Sequence, residues 1–183
     1  SKEDTLPPKG WLLAFHPDLL FRTSLKNHIK NYTFFSYHKE EALHLSRRET
    51  STVTCLLEHI EEELHHPIDA HTGTILSRHI ELLLDYCTRF YERQFITRNE
   101  ANKTIIKQFD KIINNHFETK QVPTVDILSH KYCANLLHLS PEYFNDLLKY
   151  ETGKSFKEYI EFKRFEIAKD WLVNTCLLYT SPS

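Results

Sequence analysis

Methionine is absent from this chain of 183 residues, and glycine nearly so: the three glycines stand where average usage of about 7% gives roughly thirteen. Without methionine, Ser1 is not expected to be a translation start, and the chain reads as an interior piece of a longer product. The glycines, at 10, 73 and 153, lie far apart. That excludes a dinucleotide-binding fingerprint and a glycine-cradled phosphate loop, since both need clustered glycines for the backbone to approach phosphate. It also disfavours a turn-rich all-β fold. No apolar run approaches the ~18 residues of a membrane span, and the opening SKEDTLPPKG lacks the cationic and apolar stretches of a secretion signal. Neither sign of charge is in excess: 23 Lys and Arg against 25 Asp and Glu give a net charge of -2, a mild count against indiscriminate nucleic-acid binding. Cysteine is sparse, at 55, 87, 133 and 176. The first three fall inside helical patterns, where a buried structural thiol is the common reading, and the expected compartment is a reducing cytoplasm.

What is present is mainly α. Up to about residue 45 the pattern is the least helical: GWLLAFHP at 10–17 and NYTFFSY at 31–37 read as short strands, a β remnant too small to bury itself alone. The period then changes. Ser46 and Glu49 form a capping box, and Val53, Leu56, Leu57, Ile60 and Leu64 follow at spacings of three and four, predicting a helix over 47–65. A second helix is predicted over 71–94, with Ile75, Leu76, Ile80, Leu83, Leu84, Cys87 and Tyr91 on its inner face, and the short link makes the two an antiparallel hairpin. Thr97 and Glu100 suggest another capping box and a third helix to about 117. The polar stretch ETKQVPT at 118–124 is the expected domain boundary. Beyond it, helices are predicted over about 125–138, 141–152 and 156–173, while VNTCLLYTSPS after Leu172 has no helical period, so that 174–183 reads as a non-native tail.

The residues that carry a function are HLSPEYFNDLLKYETGKSFKEYIEFKRFEIAKDWL, 138–172. Ser140 before Pro141 is a strong helix start, Gly153 a left-handed C-terminal cap, and Ser155 with Glu158 a further capping box. Tyr132, Cys133, Leu136 and Leu137 form a short helix joined to the Ser140 helix by only His138 and Leu139. A helix, a tight turn and a second helix with a polar outer face make the helix-turn-helix arrangement, whose second helix can enter a major groove.

This segment resembles the DNA-binding domain of AraC-type transcriptional regulators, in the run LSPEYFNDLLKYETGKSFKEYI and in Arg164, Ala168 and Leu172 at the linker-helix intervals, over about 55 residues. Residues 10–117 resemble the chain that precedes this domain in a subset of the family, in GWLLAFHPDLL, EALHLS and LLLDYCTRFYERQFITR. The resemblance implies a fold class of helical hairpin plus helix-turn-helix bundle. It implies four parts: 1–45 as the tail of a cupin-like sensor barrel, 46–117 as interdomain helices, 118–173 as the first helix-turn-helix and linker helix, and 174–183 as the non-native tail. A second helix-turn-helix is expected beyond the linker helix. The implied partner is double-stranded DNA, the implied chemistry none, and no cofactor is implied. A small-molecule effector would bind the sensor barrel, most of which is expected before Ser1. The stripes of 47–65 and 71–94 would serve as a homodimer seam, with packing on the chain's own barrel as the other reading.

Carried over residue by residue, the resemblance casts the 141–152 helix as the reader. Asn145 would pair with adenine and Glu142 accept from cytosine, with Asp146 a third position on that face that is also read as solvated or capping. Ser140, Lys149, Lys154, Ser155, Lys157 and Arg164 would meet phosphate. Three features depart from the family pattern: about six extra residues, DILSHK, after the boundary; an acidic outer face on the reader, with eight basic against eight acidic residues over 119–173, which predicts weak attraction to a phosphate backbone; and no pattern of the expected second helix-turn-helix after Leu172. The other reading is a helical dimerisation or adaptor protein that does not bind DNA. His65, His66 and His71 lack the spacing of a zinc site, and Glu61, Glu62 and Glu63 read as a solvated turn.

Overall fold

Seven α-helices and four short 3-10 turns make up the described part of the chain in the computed structural model, which describes residues 10–21, 23–119 and 128–179, with backbone only for 118–119 and 174–179. In chain order the helices are α1 (Leu25–His28), α2 (Arg47–His65), α3 (Thr72–Thr97), α4 (Asn99–Thr119), α5 (His130–Leu136), α6 (Pro141–Thr152) and α7 (Phe156–Tyr179). The expected boundary at 118–124 and residues 1–9, 125–127 and 180–183 of the expected parts fall wholly or mostly outside the described residues. Contacts divide the chain into two compact units. One comprises residues up to Tyr32 together with His44–Phe90, and the other Thr33–Leu43 with Tyr91 onward.

The first unit is the predicted hairpin. Ser46 accepts from the Glu49 amide while Glu49 accepts from the Ser46 amide at 2.7 Å, so both orphan donors of the first turn are satisfied and α2 begins where its capping box places it. The hairpin loop is built by Asp69, whose Oδ1 accepts from the His71 amide at 2.8 Å and the Thr72 amide at 2.9 Å. His59, six residues before the end of α2, lies against His79, seven after the start of α3, with ring centroids 5.6 Å apart, which is the register of an antiparallel pair. Leu56 and Ile60 of α2 and Leu76, Ile80, Leu83 and Leu84 of α3 are buried. Along α3, Glu81 accepts from Ser24 Oγ at 2.7 Å and lies 2.6 Å from His28 Nδ1, and Tyr32 donates to Asp85 at 2.8 Å.

The β remnant expected at the N-terminus does not form: among the described residues there is no strand. Residues 10–16 have no regular structure, Trp11 and Leu12 are exposed, and the second aromatic run coils into a 3-10 turn over Thr33–Ser36. A strand needs a partner ladder, and these short runs instead spend their side chains on helices, as Tyr32 does on Asp85.

The second unit is the larger helical assembly. Phe109, Ile113 and Phe117 of α4, Cys133 and Ala134 of α5, Phe144 and Leu148 of α6, and Tyr159 and Ile160 of α7 share one core. At its centre Phe109 and Phe144 meet edge to face, 4.9 Å apart. A satellite core joins Phe95, Tyr143 and Leu147. Between α3 and α4 only Arg98 interrupts the helical run, and Thr97 does not cap α4: its hydroxyl donates back to the Gln94 carbonyl at 3.1 Å. Asn102, 1% exposed, holds the junction by donating to the Phe95 carbonyl at 2.9 Å and to Glu151 of α6 at 3.2 Å. Helix α5 is shorter than predicted, starting at His130 behind an Ser129 N-cap. Helix α7 is longer, continuing to Tyr179 through residues whose sequence has no amphipathic period, because backbone bonding can propagate a formed helix without a buried stripe.

Candidate nucleic-acid interface

The link between α5 and α6 is the C-cap Leu137, two residues and the N-cap Ser140, and its tightness rests on His138. This residue sits at φ 57, the left-handed region that glycine usually occupies at a helix C-terminus. With it, the Leu139 amide reaches back to the Ala134 carbonyl at 3.0 Å and the His138 amide to Asn135 at 3.1 Å, so the last carbonyls of α5 are satisfied within the turn. Ser140 then caps α6 by accepting from the Tyr143 amide at 3.3 Å, and Pro141 fills the first helical position. At the other end Gly153, at φ 71, donates its amide to the Lys149 carbonyl at 2.9 Å. Ser155 and Glu158 open α7 two residues later, and Glu158 Oε2 accepts from the Ser155 amide at 2.7 Å and the Ser155 hydroxyl at 2.8 Å.

Helix α6 is fully buried over an arc of about 140°. Tyr143, Phe144, Leu147 and Leu148 face the two cores; Glu142 and Asn145 are half-buried and Lys149 is exposed. At about 100° per residue, Glu142, Asn145 and Lys149 occupy one continuous arc. Asp146, about 40° beyond Glu142, does not point to open solvent. Its Oδ2 accepts from the Tyr37 hydroxyl at 2.8 Å and from the Thr33 hydroxyl at 2.5 Å. Burial and then the Asp146 carboxylate push the Tyr37 phenol well above its ordinary value, so it is a committed donor. Ser140 is fully buried: its amide donates to Glu41 Oε1 at 2.7 Å and its hydroxyl to Glu41 Oε2.

The remaining predicted residues divide the same way. Lys157 is exposed, whereas Lys154 is half-buried with its ammonium 4.9 Å over the Phe162 ring. The Glu158 carboxyl is held below its usual range by the Ser155 amide and hydroxyl, then by Lys154 and Lys149, so these two lysines share one locality at the α6–α7 corner. Because Glu158 occupies the start of α7, an anion there would compete with the helix's own carboxylate. Arg164 lies elsewhere, lining a groove of about 380 Å³ with Phe117, Phe165 and Trp171. The structure therefore puts Glu142, Asn145 and Lys149 on one arc of α6 and Lys154 beside Lys149 at the corner, whereas Ser140 is buried, Asp146 is engaged by Thr33 and Tyr37, and Arg164 lines a separate groove.

Sequence reasoning missed Thr33, Tyr37 and Glu41 as partners of α6, because nothing local in a chain signals a contact 99 to 113 residues away. It also missed His138, although so tight a link between helices calls for one left-handed residue. Cys55, expected to be buried, is exposed and lies 3.9 Å from His59, a neighbouring imidazole one helical turn on. His65 and His66 lie near backbone carbonyls, of Glu61 at 2.8 Å and Pro67 at 3.1 Å, and among the described residues no three potential metal ligands converge. No described helix is long and apolar enough to cross a membrane.

The chain is 34% identical over 73 residues, 40% of its length, to the uncharacterized HTH-type transcriptional regulator YtdP of Bacillus subtilis (strain 168). The match spans 8% of that relative's length. No family model matches the chain, and no solved structure does.

Proposed function

We propose that this chain carries a sequence-specific DNA-binding unit of the AraC type, in which α6 is the recognition helix. The observation that carries the reading is the arc of Glu142, Asn145 and Lys149 on a helix whose opposite face, Phe144, Leu147 and Leu148, is buried in its unit and which is presented by a tight helix-turn-helix corner. The local likeness to an HTH-type transcriptional regulator supports it. On this reading Asn145 pairs with adenine and Glu142 accepts from cytosine, while Lys149, Lys154 and Lys157 meet phosphate. The mechanism is binding and not chemistry. The α2–α3 hairpin would contribute a homodimer seam, and a sensor barrel would supply the response to a small-molecule effector.

The test is salt-dependent binding of the chain to a duplex selected from a random-sequence library. Asn145→Ala should cost about 1–3 kcal/mol and relax the preference at one base pair, and Lys149→Ala should weaken all duplexes alike and reduce the salt slope by about one. If neither substitution changes affinity for the selected duplex, α6 is not the reader. A flat salt response together with a stable dimer in light scattering would favour the adaptor reading, which the acidic character of α6 and the even charge balance of 119–173 motivate.

A further inference from the structure

Resting on the reading of α6 as the recognition helix, the geometry points to a built-in competitor for it: we propose that the Thr33–Glu41 segment is a latch that occupies one flank of α6 and must leave before the helix enters a major groove. The segment is held to α6 at two places four helical residues or more apart. Thr33 and Tyr37 both donate to Asp146, in the middle of the helix, and Glu41 takes the amide and hydroxyl of Ser140 at its start. The Tyr37 ring adds an edge-on contact with Tyr143 at 5.1 Å. Of these partners Asp146 lies about 40° from Glu142, so the latch borders the base-facing arc there, while Ser140 and Tyr143 lie on the buried side of the helix.

Size decides that latch and groove exclude each other. An α-helix with its side chains is about 10–12 Å across, and the major groove of B-form DNA is about 12 Å wide. A helix in that groove nearly fills its width, so a second backbone beside its base-facing arc, as at Asp146, competes for the same space. The segment is also of a kind that can leave. It consists of 3-10 turns of four and three residues, Thr33–Ser36 and Lys39–Glu41, with no long helix of its own. Its anchors on Asp146 and Ser140 are hydrogen bonds that water can replace, and opening gives up the ring contacts of Phe34 on Tyr91 and of Tyr37 on Tyr91 and Tyr143. When Glu41 withdraws, the Ser140 hydroxyl still has the Tyr143 amide to cap, so α6 keeps its start. Asp146, released, adds a negative charge at the edge of the groove, so the open state favours DNA only where Asn145 and the lysines gain more than that carboxylate costs.

The experiment compares the full chain with its Thr33→Val/Tyr37→Phe variant on one duplex selected from a random-sequence library, with hydrogen exchange of the α6 amides as a second readout. The latch predicts that the variant binds about tenfold tighter or more, since two hydrogen bonds to a charged acceptor no longer hold the closed state. It also predicts faster exchange in the first turn of α6 with unchanged exchange at Phe109 and Ile113 of α4. Wild-type binding with an equal or weaker variant would overturn the latch and make the segment a buttress, leaving the DNA-binding reading intact. Binding by the variant alone would support the latch strongly. No binding by either would overturn the DNA-binding reading and the latch with it. Should the double variant lose its helical circular dichroism, Tyr37→Phe alone carries the comparison, because it keeps the ring against Tyr91 and Tyr143.

Discussion

Glu41 holds Ser140 by two hydrogen bonds across 99 positions of chain, with the carboxylate 4% exposed and the serine fully buried. A buried carboxylate at the start of a helix is stable because donors surround it, here the Ser140 amide and hydroxyl and the His38 amide at 2.7 Å. Removing it should cost more than removing an exposed acid. Glu41→Ala is expected to lower the stability of the unit by about 1.5–3 kcal/mol, seen as a lower denaturant midpoint at unchanged slope, with Glu41→Gln intermediate. An unchanged midpoint in Glu41→Ala would show that the contact contributes nothing.

His138 carries a cost that its turn cannot avoid. A side chain in the left-handed region is disfavoured by roughly 1–2 kcal/mol relative to the right-handed one, and glycine escapes that penalty. His138→Gly should therefore stabilise the chain by about 1 kcal/mol, with melting raised by a few degrees and no change in helix content. A loss of stability would mean that the imidazole makes a contact worth more than the strain.

His130 should make the second unit sensitive to mild acid. Its Nε2 is enclosed without a hydrogen-bond partner, its ring stacks on Phe144 at 5.9 Å, and burial lowers its pKa against the opposing pull of Glu142, the Pro141 backbone and Asp146. A depressed pKa means that the unfolded chain takes up a proton before the folded one does. The stability from a neutral His130 is thus fully present above about pH 6.5 and is lost as pH falls from there toward the folded value. In urea titrations between pH 7.5 and 5, His130→Phe should lose less stability than the parent; an equal loss in both would place the acid sensitivity at another group.

Thiol labelling should separate Cys55 from Cys133. The first is exposed, whereas the second is fully buried in the core and its pKa is pushed up to about 11 by that burial. Under native conditions Cys55 should react first and Cys133 only as fast as the unit opens, with the difference abolished in denaturant. Early modification of Cys133 in a peptide map would contradict the core described above.

In the core itself, Phe109→Ala should cost about 3–5 kcal/mol, since Phe109 is fully buried and packs edge-on to Phe144, against Tyr159 and against Phe156. The loss should appear as a shift in the unfolding midpoint; a shift below 1 kcal/mol would mean that neighbouring side chains collapse into the space.

How far these features are legible in sequence depends on the range of the interaction that determines them. The bounds of α2 and α6 follow from signals within four residues, Ser46 with Glu49, Ser140 with Pro141, and Gly153, and both helices begin and end where those signals lie. Where the local signal is weaker, the structure departs from it. Thr97 has one possible partner a turn away on either side, Gln94 and Glu100, and bonds to Gln94, and the aromatic residues 31–37 look like a strand until a helix is available to pack on. The arc of Asn145 and Lys149 follows from helical period alone. The state of Ser140 and Asp146 does not, because their partners Glu41, Thr33 and Tyr37 are brought to them only by the completed unit.

The distance between these partners also orders events in time. During synthesis at about 5–20 residues per second, Thr33–Glu41 leaves the ribosome roughly 5–20 s before Ser140 and Asp146 exist. Through that interval Glu41 is a solvated carboxylate and Tyr37 an exposed ring, while the hairpin of α2 and α3 has everything it needs to form. The second unit therefore joins parts made far apart in time, and its earliest segment waits for α6 before Glu41 and Tyr37 find their partners.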